Sequence, residues 1–130
     1  MLTQEQLALG FVYKSDTSQH LWRILPADDL SGDCEDYALT ALYIEAGGVL
    51  GMLYALVLGS AKILRCTLPS GGAHAVLRYK GRCIDNGDRK WVSQDLLESR
   101  GYDFHKRSFL FTTVLQQLFR TFVLTLIKKV

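Results

Sequence analysis

A run of apolar residues at helical spacing begins at Cys34, directly after the turn-forming residues Ser31-Gly32-Asp33. Intervals of three and four positions, which put side chains on one face of a helix, separate Cys34, Tyr37, Ala38, Ala41, Leu42 and Glu45. Asp33 is the expected N-cap, and Asp36 completes a capping box with Asp in the place of Glu. The pattern therefore predicts a helix that carries a cysteine in its first turn and ends at Gly47-Gly48.

The following segments alternate between apolar runs and turn signals. The pattern predicts a second helix at Val49–Leu58, strands at Lys62–Leu68, Ala73–Tyr79 and Arg82–Asn86, a short helix at 93–100 and a helix at 110–129. Lys80-Gly81 is the expected hairpin loop between the second and third strands. This order predicts one α+β domain over residues 1–130, with N-terminal helices packed on a small antiparallel sheet and an amphipathic helix at the C-terminus.

Charge and cysteine content narrow the function classes. The net charge is +2, and no concentrated basic patch appears, so we expect no nucleic-acid partner. Three cysteines without a C-x-x-C pair predict neither a disulfide framework nor a structural zinc site. The first ten residues lack the basic and apolar regions of a signal peptide, so we expect a cytoplasmic protein. A short chain without a leader would also suit a phage-encoded protein.

Cys34 and His74 are the first two candidates for chemistry. The N-terminal turn of a helix favours a thiolate, and its free N–H groups can help to hold an oxyanion. His74 follows a Gly-Gly turn, and histidine is the natural base for a cysteine nucleophile. The alternative for both residues is structural, because a lone cysteine is more often buried and inert.

Asp85 is placed beside His74 by the register of the predicted hairpin. If Lys80-Gly81 is a two-residue loop, Val76 lies opposite Asp85, and His74 shares the face of Val76. His74 and Asp85 are then diagonal neighbours, so the carboxylate can orient the imidazole. A one-residue slip would move Asp85 to the other face. The alternative is an aspartate that only begins the turn at Asn86-Gly87.

Three segments resemble motifs of one enzyme family. Gly32-Asp33-Cys34-Glu35-Asp36-Tyr37-Ala38 resembles the nucleophile motif of the bacterial transglutaminase-like cysteine peptidases, the LapG-like family. Gly72-Ala73-His74-Ala75-Val76-Leu77 is similar to its histidine motif, and Ile84-Asp85-Asn86 to its aspartate motif. The segments Tyr13–Asp16, Trp22–Pro26 and Gly101–Phe104 also resemble the family, so the similarity covers roughly residues 11–107.

The resemblance implies a papain-like core and a Cys34-His74-Asp85 triad. The implied activity is that of a cysteine hydrolase, a peptidase or amidase that forms a thioester on a protein or peptide substrate. Transfer to an amine or deamidation of glutamine side chains remains the alternative within the enzymes. A catalytically silent binding or assembly module with the same fold is the alternative outside them.

The resemblance requires no cofactor, but it raises calcium as an option. Several family members bind calcium through acidic residues beside the cysteine, and the matching positions are Asp33, Glu35 and Asp36. Carboxylate oxygens are the ligands that calcium prefers. Without a cation these charges would raise the pKa of the Cys34 thiol. The alternative is that they cap the helix and complement its dipole.

Other residues are weaker candidates. Gln19, His20 and Trp22 precede the nucleophile and could complete an oxyanion hole, although a core or surface role is the simpler interpretation. Cys66 and Cys83 are expected to pack in or beside the core, and His105 is expected at the surface. The predicted helix at 109–129 has apolar residues at Phe111, Val114, Leu115, Leu118, Phe119, Phe122, Val123, Leu126 and Ile127. It either covers the core or docks on a partner or a membrane surface.

Overall fold

The computed structural model describes residues 2–14 and 22–105. In this part of the chain the helices are α1 (Gln4–Gly10), α2 (Cys34–Ala46), α3 (Val49–Leu58) and α4 (Gln94–Ser99). The strands are β1 (Val12–Tyr13), β2 (Ser31–Gly32), β3 (Ala61–Thr67), β4 (Ala73–Tyr79), β5 (Arg82–Ile84) and β6 (Asp103–Phe104). β1 and β2 form a short parallel pair, and the antiparallel sheet has the order β5-β4-β3-β6. The fold is therefore α+β, as predicted.

The ends of α2 lie where the sequence predicts them. The Asp33 side chain accepts a hydrogen bond from the N–H of Asp36, and the Asp36 side chain accepts one from the N–H of Asp33. Gly47 ends the helix in the left-handed conformation, with φ at 81°, which costs glycine little. The capping box thus makes Cys34 the first residue of α2.

The hairpin between β4 and β5 has the predicted two-residue loop. Lys80 and Gly81 have φ values of 51° and 82°, as the tight loops that match strand twist require. Tyr79 pairs with Arg82, which confirms the predicted register. Strand pairing ends two residues earlier than predicted, because Asp85 begins a turn.

That turn is held by Asp85 itself. Its Oδ1 accepts a hydrogen bond from the N–H of Asp88, and its backbone carbonyl accepts one from the N–H of Arg89. An aspartate that bonds to backbone N–H groups further along the chain favours a turn over continued strand. The predicted strand at Arg82–Asn86 is therefore wrong at its end, and β5 stops at Ile84.

The sheet separates two apolar clusters. One face packs against α2, and the main core there includes Ala75, Leu77 and Ile84. The other face carries a smaller cluster of Cys66, Val76, Cys83 and Leu97. Because strand side chains alternate, His74 lies on the same face as Val76 and the smaller cluster. The next residue, Ala75, points to the face that packs against α2.

The other predicted elements that fall on described residues differ little from the structure. The second helix is confirmed at the predicted bounds, and the predicted strand at Lys62–Leu68 is shifted by one residue. The predicted helix at 110–129 lies outside the described residues. No single helix among those described has both the length and the hydropathy to cross a membrane. Together α2 and α3 pass on length and composition, but they meet at a bend of 102°.

Candidate active site

His74 and Asp85 form a buried hydrogen-bonded pair. The Nε2 atom of His74 lies 2.8 Å from Oδ2 of Asp85, and the side chains are 8% and 1% exposed. An ionised carboxylate can only accept hydrogen bonds, so Nε2 carries the proton in this contact. In a neutral imidazole the other nitrogen, Nδ1, is then the acceptor. The pair thus fixes the tautomer of His74 and leaves Nδ1 as its basic atom.

The Asp85 carboxylate is ionised because three donors surround it. Besides His74, the hydroxyl of Tyr102 donates to Oδ2 at 2.8 Å, and the N–H of Asp88 donates to Oδ1 at 2.9 Å. Burial alone would raise the pKa of the Asp85 carboxyl. The three hydrogen bonds outweigh burial and hold that pKa below its ordinary value.

The edge of β4 next to His74 has an open backbone position. Gly72 and Lys80 flank β4. The carbonyl of Gly72 accepts from the N–H of Leu68, and the N–H of Lys80 donates to the carbonyl of Ser60, so both bond on the β3 side. Since N–H directions alternate along a strand, the N–H of Ala75 points to the opposite side, where β5 would lie. β5 ends at Ile84, opposite Leu77, so it does not extend as far as Ala75.

The Cys34 thiol lies next to this open position. The N–H of Ala75, in the peptide unit that follows His74, lowers the pKa of the thiol. The capping box at Asp33 fixes the start of α2, and α2 packs against β4. The fold therefore brings the thiol to the strand segment that carries the imidazole, although Cys34, His74 and Asp85 are far apart in sequence.

The electrostatic environment of Cys34 differs from that expected for a helix N-terminus. The residue is 9% exposed, and its Sγ lies 3.4 Å from Oε2 of Glu35. Burial and the charge of Glu35 raise the pKa of Cys34 to about 12, and the N–H of Ala75 offsets only part of this. The thiol is therefore protonated at neutral pH. Burial and the charge of Glu35 therefore outweigh the stabilisation of a thiolate that we expected from the helix dipole.

Replacing Glu35 by glutamine is expected to lower the pKa of the Cys34 thiol. The variant removes the nearest negative charge but keeps an oxygen that can accept from Sγ. A decrease of one pKa unit would raise the thiolate fraction, and the rate of iodoacetamide labelling at Cys34, about tenfold at a fixed pH. Peptide mass spectrometry measures this rate separately for Cys34, Cys66 and Cys83.

Glu45→Gln is the matched control for this measurement, because Glu45 is exposed at the far end of α2. It should leave the labelling rate of Cys34 unchanged. An unchanged rate in Glu35→Gln as well would mean that burial alone keeps the thiol protonated.

Two of the three acidic residues proposed for calcium have structural partners. Asp36 is buried, its Oδ1 accepts from the N–H of Arg23 at 2.8 Å, and its Oδ2 accepts from the N–H of Asp33. Asp33 in turn accepts from the N–H of Asp36. Across residues 2–14 and 22–105, no group of three His, Cys, Asp or Glu side chains is arranged to hold a metal. Calcium binding by Asp33, Glu35 and Asp36 stays an untested prediction.

Asp36 connects the chain before the nucleophile to α2. Burial and the charge of Asp33 raise the pKa of Asp36 to about 7, against the hydrogen bonds from Arg23 and Asp33. Gly32 leaves the space that Asp36 occupies, because a Cβ at Gly32 would lie 2.6 Å from its Oδ2. Asp36 therefore acts as a structural residue next to Cys34.

The remaining candidates from the sequence have different positions. Trp22 is buried in the main core, which also contains Cys34, while Gln19 and His20 lie outside the described residues. Cys66 and Cys83 are buried, and burial raises the pKa of each thiol to about 11. His105 is exposed and contacts Thr67, as expected for a surface residue.

Two groups in the site were not assigned from the sequence. The role of the Ala75 N–H depends on where β5 ends, and no side-chain pattern encodes that. Tyr102 lies in a segment that resembles the family, but nothing in its spacing indicates a partner. Its ring meets the His74 ring edge to face, with centroids 5.8 Å apart. Tyr102 thus contacts both His74 and Asp85.

No protein-family model, curated protein or solved structure matches this chain.

Proposed function

We propose that this chain is a cysteine hydrolase of the transglutaminase-like kind, a peptidase or amidase with a papain-like core. The observation that carries the proposal is the 2.8 Å bond from His74 Nε2 to Asp85 Oδ2, next to the strand position beside the Cys34 thiol. A nucleophile, a base and a group that orients the base are the parts that acyl transfer requires. The helix that begins at Cys34 and packs on an antiparallel sheet supports the papain-like core.

The raised pKa of Cys34 determines how the first step proceeds. The resting thiol keeps its proton, so Nδ1 of His74 removes that proton as Sγ attacks the carbonyl carbon of the substrate. Asp85 stabilises the imidazolium that forms. His74 then gives the proton to the leaving amine as the C–N bond breaks, which leaves a thioester on Cys34.

The second half of the reaction uses the same base. Nδ1 of His74 removes a proton from water, the water oxygen attacks the thioester carbonyl, and the C–S bond breaks. The acid product leaves, and the proton returns to Sγ. An amine in place of water would give the transferase outcome, and analysis of the products with an added primary amine separates the two.

The backbone N–H of Cys34 is the donor that we assign to the oxyanion. In the first turn of α2, the N–H of Asp36 is bonded to the Asp33 side chain, and that of Tyr37 to the Asp33 carbonyl. The N–H of Cys34 precedes these and moves with the nucleophile, as an oxyanion donor must.

A chromogenic ester tests the proposal without a known substrate. The full chain should react with p-nitrophenyl acetate to give an initial burst of p-nitrophenol and an acetyl thioester that peptide mass spectrometry locates at Cys34. His74→Ala should slow acetylation at Cys34 on the order of 100-fold, since it removes the general base. His105→Ala is the matched control, because His105 is exposed and bonded to Thr67 instead.

The burial of the thiol favours a second candidate, a silent binding or assembly module. Cys34 is only 9% exposed, and its pKa is raised to about 12, as for an inert core cysteine. If acetylation is equally slow at Cys34, Cys66 and Cys83, or if His74→Ala leaves it unchanged, the hydrolase proposal is wrong and the module is favoured.

A further inference from the structure

Arg89 has a backbone conformation that is uncommon for its residue type. Its φ is 60°, in the left-handed region, and of the residues that the structure describes Lys80 is the one other non-glycine with a positive φ. A residue stays in this region only where the contacts around it outweigh the cost. The N–H of Arg89 donates to the carbonyl of Asp85 at 2.8 Å. The contacts that hold Arg89 therefore also hold the turn that presents Asp85 to His74.

The Arg89 side chain extends from this turn to helix α1. Its Nε donates to the carbonyl of Asn86 at 2.7 Å, inside the turn, and its Nη1 donates to the carbonyl of Ala8 in α1 at 2.9 Å. The N–H groups of a guanidinium lie in one fixed plane, so two such bonds set the direction of the side chain as well as its reach. Arg89 thus joins two segments of the backbone that are far apart in sequence.

Phe11 continues this connection to the helix that carries Cys34. The guanidinium carbon of Arg89 lies 5.2 Å from the centroid of the Phe11 ring, which is a cation–π contact. The Phe11 ring in turn meets the Tyr37 ring edge to face, with centroids 4.9 Å apart, and Phe11 is 3% exposed. Tyr37 lies one turn after Cys34 on the same face of α2. The Asp85 turn is therefore linked through two side chains to the first turns of α2.

Helix α1 is itself fixed to α2 at a second point. The Nε2 atom of Gln4 donates to the carbonyl of Ala41 at 2.8 Å, and Leu7, between this bond and the Ala8 carbonyl, is fully buried. A movement of α1 relative to α2 would break the bond and expose the leucine, and both changes cost free energy. Helix α1 is therefore a firm support for the turn that Arg89 attaches to it.

We propose that Arg89 is a positioning residue for the pair of His74 and Asp85, with α1 as its support. Its two side-chain bonds and its contact with Phe11 hold the Asp85 turn in a set position relative to α2. Asp85 then holds the His74 imidazole in the orientation that the Cys34 thiol requires. The importance of Arg89 for catalysis rests on the proposed function, whereas its effect on the geometry of the pair does not.

Exchange of the His74 Nε2 proton with water tests this role without any substrate. The proton is protected while Nε2 lies 2.8 Å from the Asp85 carboxylate, and NMR of the full chain measures its exchange rate. Arg89→Ala should raise this rate on the order of tenfold, because the carboxylate is no longer held against the imidazole. Arg89→Lys keeps the charge near Phe11 but loses the planar fork, so it should restore only part of the protection.

Two further variants separate positioning from stability. Ile63→Val removes one methyl group from the main core in β3, so it should lower stability but leave the exchange rate of the His74 proton unchanged. Arg89→Gly removes the same side-chain contacts as Arg89→Ala, but glycine adopts a φ of 60° at little cost. It should therefore be more stable than Arg89→Ala in urea and still exchange the Nε2 proton as fast.

Two outcomes would overturn the inference. In the first, Arg89→Ala and Arg89→Gly both leave the exchange rate at the wild-type value. In the second, Ile63→Val raises the rate as much as they do, which assigns the effect to lost stability. The reaction of Cys34 with p-nitrophenyl acetate keeps this result apart from the proposed function. Faster exchange in the Arg89 variants of a chain that is never acetylated at Cys34 supports the positioning role and contradicts the hydrolase.

Discussion

Replacing Cys34 by alanine is expected to abolish the acyl transfer that we propose for this chain. The variant removes the atom that forms the thioester, and neither His74 nor Asp85 can replace it. We expect the rate of p-nitrophenol release to fall on the order of 1,000-fold or more, to the level of the uncatalysed reaction. Initial rates with p-nitrophenyl acetate, measured on wild-type and variant chains at the same concentration, provide the test.

The fold should tolerate this substitution. Alanine is favourable in a helix, and the capping box that starts α2 involves Asp33 and Asp36. Cys66→Ala is the control, because it removes another buried thiol, one that has no part in the proposed triad. It should cost stability but leave turnover intact. A Cys34→Ala chain that stays folded and keeps its turnover would contradict the proposed function.

Replacing Asp85 by alanine is expected to give the largest loss of stability among the site residues. The carboxylate accepts hydrogen bonds from His74, Asp88 and Tyr102, and it is 1% exposed. Alanine would leave three partly buried donors without an acceptor. The free energy of unfolding should fall by about 3 kcal/mol, a large part of the stability of a small protein. Urea unfolding at pH 7 measures this loss.

The loss of unfolding free energy in Asp85→Ala should become smaller as pH falls. The pKa of Asp85 is lower in the folded chain than its ordinary value, near 3.8. The charged carboxylate therefore stabilises the fold above about pH 4, and this contribution disappears as pH falls through the lowered pKa. The difference in unfolding free energy between wild type and Asp85→Ala should shrink below pH 4.

Asp28→Ala is the control for the stability measurement, because Asp28 is an exposed aspartate in a turn before α2. It should change the unfolding free energy by less than about 0.5 kcal/mol at either pH. A loss for Asp85→Ala that is equally small, or that grows towards low pH, would contradict the ionised, hydrogen-bonded carboxylate described above.

Local patterns were sufficient to predict the parts of the fold that position the site. The N-cap at Asp33 predicts where α2 begins, because capping involves residues three apart. The loop at Lys80-Gly81 predicts the register that puts Asp85 near His74, because a two-residue loop leaves one pairing available. These are short-range interactions, and their consequences for Cys34, His74 and Asp85 follow from simple geometry.

Other features depend on contacts that no local pattern encodes. Helix α1 was not predicted, although its capping box of Thr3 and Gln6 is readable in the sequence. The hydroxyl of Tyr102 reaches Asp85 only because α4 and its turn return the chain to the sheet. The raised pKa of Cys34 results from burial by the whole core, which outweighs the local advantage of a helix N-terminus.

The length of the loop at Lys80-Gly81 sets the strand register that brings Asp85 next to His74. One residue added there would shift the pairing of the next strand and turn its side chains to the opposite face. Asp85 would then lose His74, although no residue of the site had changed. Insertions should be tolerated at the exposed turn near Gly71, which lies outside the β4–β5 hairpin. We therefore expect loop length, rather than loop chemistry, to decide whether a variant of this hairpin keeps the contact between His74 and Asp85.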